Sequence, residues 1–283
     1  MWATAREIGV VAMADLSSSA MDKLLPLGRA LFAVSFIGLG VEHFVYREFV
    51  TGRAPAWPFG ASPGVAWAYV SGLVVVVTAG AILLGKHGRV AALSLSALII
   101  VWALSRHIPV VIASDVLAPE WTKAVKALVF AGGALVMAAT FPAIHMARDS
   151  AFSRLINARE GFVMAGTICL AVFMVNNGSQ HFIYEEFVAT LVPAWIPGGQ
   201  IFWTYASAVL LFCGALGMFF PPTASLAALL TALMVFAWVW LVHVPRISVS
   251  VSDNIAVFEA PAIAGIAFVL AALNRWRRRP ELP

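Results

Sequence analysis

Long apolar runs separated by short polar stretches recur eight times along the chain, at about 26–46, 64–84, 89–108, 121–141, 160–181, 201–220, 223–244 and 256–274. Each is close to the ~20 residues that carry an α-helix through the hydrocarbon core of a bilayer. A helix also pairs every backbone donor and acceptor within its own segment, which lipid demands. The pattern predicts eight transmembrane helices, spans 1 to 8, and an all-α polytopic fold. A shorter apolar patch, Ile8 to Ala14, ends in Ala12-Met13-Ala14 and has Glu7 in front of it. It has only the minimum length of a secretory h-region, so residues 1–25 read as an N-terminal cytoplasmic segment rather than a cleaved leader.

Composition agrees with that pattern. Of 283 residues, 61% are hydrophobic and only 11% charged, with mean hydropathy +0.91. A soluble domain carries roughly 25% charged residues, so an ordinary soluble enzyme, a disordered chain and a disulfide scaffold are all excluded. The net charge of +4 does not signal nucleic acid, because the cations sit at the ends of apolar runs. The side holding both termini has Arg6, Lys23, Arg29, Lys86, Arg89, Arg148, Arg154, Arg159, Arg275, Arg277, Arg278 and Arg279; the other has Arg47, Arg53, Arg106, Lys123, Lys126 and Arg246. That asymmetry predicts a cell-membrane protein with both termini cytoplasmic and the loops after spans 1, 3, 5 and 7 outside. Cys169 and Cys213 lie in separate apolar runs and form no CxxC, so they read as small packing residues.

The chain is written twice. His43-Phe44-Val45-Tyr46-Arg47-Glu48-Phe49-Val50 returns as His181-Phe182-Ile183-Tyr184-Glu185-Glu186-Phe187-Val188, and Pro55-Ala56-Trp57 as Pro193-Ala194-Trp195. Trp67-x-Tyr69 returns as Trp203-x-Tyr205, and Trp102, His107 and Pro109 as Trp238, His243 and Pro245. Four landmarks in unbroken order predict two tandem four-helix bundles, 26–141 and 160–274, joined by a cytoplasmic linker, 142–159, with a basic tail at 275–283. An even number of spans inserts both units the same way, so the expected symmetry is a pseudo-two-fold axis along the membrane normal.

Ionisable groups within a membrane are costly and usually face a bundle interior or a wet cavity. His43 ends span 1 and His107 ends span 3, and His181 and His243 repeat the arrangement, which places one His pair per unit near the outer face. Tyr46 and Tyr184 lie one turn beyond the first histidine of each pair. Glu42 and Arg106, which precede the histidines of the first unit, become Gln180 and Val242 in the second. Their joint loss predicts a Glu42–Arg106 ion pair, since a lone buried charge is penalised more than a pair. Trp57 and Trp195 beside prolines suit interfacial anchors and helix stops.

Four readings of the His pairs stand open: imidazoles that only fix helix packing, a quinone or similar headgroup site, bis-His haem b, and a metal. His181 and Glu185 are spaced i,i+4, but Arg47 occupies the matching place in the first unit, so a symmetric metal scheme fails. Lys123 and Lys126, at the start of span 4, read as cations that snorkel to the outer interface, and Gly132-Gly133 as a close-packing point.

Span 1 ending in His-Phe, a short amphipathic stretch, Pro-Ala-Trp and a second span beginning near Trp-x-Tyr resemble the DoxX-like family of four-helix membrane proteins. The resemblance rests on His43-Phe44 with Pro55-Ala56-Trp57 and on His181-Phe182 with Pro193-Ala194-Trp195-Ile196-Pro197, and it covers both halves. It implies membrane components of redox systems, such as the membrane subunit type of thiosulfate:quinone oxidoreductase, or assembly factors. The cysteine pair of the thiol-redox relatives is missing. The leading expectation is therefore a membrane redox component holding a quinone or other small apolar ligand through His43, His107, His181 and His243. Tyr46, Tyr184, Glu42, Arg106, Trp57 and Trp195 would support it. The alternative is a non-enzymatic accessory or assembly subunit with membrane-protein partners; a small-molecule permease is a third reading.

Overall fold

The computed structural model describes residues 23–50, 61–146 and 150–276. Within them eight helices are long and apolar enough to cross a membrane: Leu24–Tyr46, Gly64–Leu84, Gly88–Ile112, Pro119–Ala139, Arg159–Ile183, Gln200–Gly217, Ala224–Arg246 and Val251–Asn274. They correspond to spans 1 to 8, and no strand occurs among the described residues. The calls on the Ile8–Ala14 patch, on Pro55-Ala56-Trp57 and on Arg277, Arg278 and Arg279 lie outside the described residues.

Each span packs on its chain neighbour, and the ends of the order close on each other: span 1 packs most extensively on span 8, and span 4 on span 5. Spans 1 and 4 therefore take their main partners from the other half of the chain, and the halves interlock. Spans 4 and 8 form the middle of the assembly. Span 8 is 83% buried within the protein, against 28% for spans 6 and 7, whose apolar faces point outward.

Small residues set these contacts, because apolar side chains gain nothing by leaving lipid and association rests on close backbone approach. At the crossing of spans 1 and 8, a Cβ added at Gly28 would meet the carbonyl oxygen of Gly265 at 2.5 Å. At the crossing of spans 4 and 5, a Cβ added at Gly132 would meet the Cβ of Cys169 at 2.6 Å and the Cα of Gly166 at 3.2 Å. Gly28 and Gly166 are 138 residues apart, the spacing of the His-Phe repeats. The linker between halves is tied to the end of span 4. Arg89 donates to the carbonyls of Phe141 (2.9 Å) and Ile156 (3.1 Å), and Arg159 to that of Ala139 (3.1 Å). Cations at a helix C-terminus are stabilised by its carbonyls and dipole.

Spans 3 and 7 share one departure from α-helical geometry. Each contains a wide π-type turn, Ala103–His107 and Val239–His243, that ends on the histidine. Pro109 and Pro245 follow two residues later. A proline lacks an N–H and crowds the carbonyl four residues before it, which here is that of Ser105 or Leu241 within the wide turn. The sequence motif His-x-Pro thus bulges both helices at the same level, a distortion common at functional sites.

Candidate functional site

The two histidines that end spans 1 and 5 are held identically by their own helices. His43 Nδ1 lies 2.7 Å from the carbonyl oxygen of Leu39, and His181 Nδ1 lies 2.7 Å from that of Asn177. A carbonyl only accepts, so Nδ1 carries the proton and Nε2, on the far edge of the ring, is an acceptor. Each imidazole then lies against the tryptophan that precedes the wide turn: His43 and Trp102 have centroids 5.8 Å apart at 31°, His181 and Trp238 6.4 Å apart at 27°. The adjacent stacks also match, with Phe44–Tyr69 at 5.4 Å and Phe182–Tyr205 at 5.3 Å.

From this shared frame the halves diverge. In the first, helical geometry ends at Tyr46 and Arg47 adopts a left-handed conformation (φ 57°), rare for a non-glycine residue. The following Phe49 is only 4% exposed. Its ring packs 6.0 Å from that of His43 and 5.1 Å from that of Trp102, and the Arg106 guanidinium lies 4.3 Å from its centroid. His43 and His107 are both buried, and the Nε2 atom of each makes no hydrogen bond with another protein group. Leaving such an atom unsatisfied costs about 1–3 kcal/mol.

In the second half the chain continues through Tyr184 into a short helix, Glu185–Ala189, anchored where the Tyr205 hydroxyl donates to the Glu185 carboxylate. Phe187, the counterpart of Phe49, is 63% exposed. A cavity of about 730 Å³ opens among the end of span 5, the Glu185–Ala189 segment, spans 6 to 8 and the start of span 4. That volume lies within the ~300–1,000 Å³ of small-molecule sites. All these ends lie at the end of the helical assembly away from Leu24 and Trp276.

The walls are mostly apolar and aromatic, with Phe173, Phe187, Trp203 and Trp238, and polar groups converge on them. His181, His243 and Tyr184 all line the cavity, so the structure unites three of the residues singled out from sequence. Two ion pairs line it as well: Lys126 Nζ to Glu259 Oε2 at 2.6 Å, and Arg246 Nε to Asp253 Oδ1 at 2.8 Å. The Lys126 and Glu259 side chains are 15% and 2% exposed. Lys126 thus corrects the expectation of a snorkelling cation: it reaches inward to span 8, not outward to the interface.

Tyr46, Trp195, Glu42 and Arg106 are not among the residues that line the cavity, whereas Lys123 and Gln180 are. Tyr46 accepts a hydrogen bond from Asn254 Nδ2 (3.1 Å) and so ties span 1 to span 8. Trp195 is 72% exposed in the loop before span 6. Glu42 and Arg106 are both buried in the first half, and Arg106 faces Phe49 with Glu48 within electrostatic reach. Gln180, in the place of Glu42, is bonded to Thr122 and donates to the carbonyl of Leu117 (3.3 Å). Sequence reasoning did not single out Phe49 or Trp238 as site components, and it assigned Lys126, with Glu259 near the start of span 8, to the interface instead of to an ion pair. Phe49 and Trp238 were visible inside the repeated motifs; the ion pair joins positions 133 residues apart with no shared motif.

A family described as Domain of unknown function (DUF8561) matches residues 170–272. The match runs from within span 5 to within span 8, the half that holds most of the cavity. No curated protein and no solved structure matches the chain.

Proposed function

We propose that this chain is the ligand-holding membrane component of a redox system and that the second-half cavity binds one quinone-type ring near the outer face. The observation that carries the reading is the placement of two imidazoles, His181 and His243, with Tyr184 and Trp238 around one apolar cavity of about 730 Å³. His181 Nε2 is an acceptor, so it suits a hydroquinone hydroxyl, and the aromatic walls suit a planar ring with an apolar tail. The same reading takes the chain as two DoxX-like units in tandem, related by a pseudo-two-fold axis along the membrane normal. The matched His–Trp and Phe–Tyr stacks, the paired wide turns and the paired glycine crossings support it. The excess of lysine and arginine beside the termini supports cytoplasmic ends in the cell membrane.

The test is equilibrium binding of decylubiquinone to the purified protein in quinone-free nanodiscs, read as quenching of tryptophan fluorescence. The expected result is a saturable component of one per chain, weakened at least tenfold by His181→Ala and by His243→Ala. Well-folded protein with no saturable component overturns the reading. A Soret band in the purified protein would replace the quinone by haem, and fixed co-purifying subunits without bound quinone would favour the accessory-subunit alternative.

A further inference from the structure

The first half holds the same frame as the quinone-type site, but with a ring of the protein's own inside it. We infer that it contains a second ring-binding site of the same ligand class, kept occupied by Phe49. The inference rests on the proposed reading of the second-half cavity.

Phe49 and Phe187 occupy one position of the repeated octapeptide, yet one is 4% and the other 63% exposed. Where Phe187 stays out, a cavity lies beside His181 and Trp238. Where Phe49 turns in, its ring lies against His43, Trp102 and the Arg106 cation. Phe49 thereby acts as an internal stand-in for a ligand ring.

The surroundings of that ring are more polar than a phenyl group needs. Nε2 of His43, whose ring centroid lies 6.0 Å from that of Phe49, is buried and makes no hydrogen bond with another protein group. A region serving packing alone pairs such atoms or replaces them with carbon. A donor on a ligand ring, as in a hydroquinone, would satisfy the His43 nitrogen; the apolar edge of Phe49 does not.

The backbone accounts for the difference between halves. Glu185 is bonded to Tyr205, which anchors the Glu185–Ala189 helix at the wall of the cavity with Phe187 63% exposed. The first half has Arg47 in that place, a side chain that cannot accept the hydroxyl of Tyr69, the counterpart of Tyr205. The left-handed Arg47 turns the chain and Phe49 enters the protein.

Binding stoichiometry of decylubiquinone in nanodiscs tests this directly. The wild type is expected to bind one per chain and Phe49→Ala two, with His43→Ala added to Phe49→Ala returning the count to one. If the wild type binds one and folded Phe49→Ala still binds one, the second site does not exist while the first stands. If neither binds, the underlying reading fails and this inference falls with it. Should Phe49→Ala not fold, Phe49→Leu replaces it with the same two outcomes. Phe49→Tyr gives an independent measurement: a hydroxyl placed beside the His43 imidazole should raise Tm by roughly 2–4 °C while the count stays at one. A lowered Tm would contradict the polar character assigned to the site.

Discussion

Glu259→Leu removes the anion that meets Lys126 at 2.6 Å within the protein, where the two side chains are 2% and 15% exposed. At an effective dielectric constant of ~20 the gross attraction at that distance is about 6 kcal/mol, much of it spent on the desolvation of both groups. Removing one partner of a buried pair leaves an uncompensated charge, so Glu259→Leu should destabilise by about 3–5 kcal/mol. Lys126→Met with Glu259→Leu removes both charges and restores an apolar contact, and should lie within about 1 kcal/mol of the wild type. Reversible unfolding by SDS in mixed micelles measures Glu259→Leu, Lys126→Met and the double variant. A single variant within 0.5 kcal/mol of wild type (roughly the effect of a surface substitution), or a double variant as unstable as the two singles summed, would refute the assignment.

Gly28→Val places side-chain atoms against the Gly265 carbonyl and the Val269 amide, at 2.5 and 3.0 Å from the new Cβ, so the helices must separate. A loss of about 1–3 kcal/mol or more is expected in the same unfolding assay. Gly80→Ala, where nothing lies within 4 Å, should be neutral or slightly stabilising. A double-mutant cycle on Glu42→Gln and Arg106→Met should show a coupling of about 1 kcal/mol or more if the two are in contact; independent effects would remove that pair from the first half. Reporter fusions at the C-terminus should be active for a cytoplasmic enzyme and silent for an exported one, and the reverse would invert the proposed orientation.

Much of the fold was legible because a bilayer imposes a length on every span, and a run such as 64–84 has no other way to satisfy its backbone. The candidate site was legible in part because polar residues stand out against apolar sequence. His181, His243 and Tyr184 were found that way, and all three line the cavity. Lys126 was misread because a cation near a helix end has two inexpensive fates, water or a partner. Its partner Glu259 lies 133 residues away on a helix that packing brings alongside.

By itself the sequence determined the number of apolar helices, their approximate extents and the repetition of its motifs, since each is written within about one helix length; the bulges beside the His-x-Pro motifs appeared only in the structure. Only the tertiary structure decided that spans 1 and 8, and 4 and 5, interlock the halves, because approach at Gly28–Gly265 and at Gly132–Gly166 depends on which helices meet. It also decided which half holds a cavity. Phe49 and Phe187 are the same letter in the same motif, yet one ring is buried and the other exposed, and only the segment of the exposed one carries a Glu185 that meets the Tyr205 hydroxyl across space.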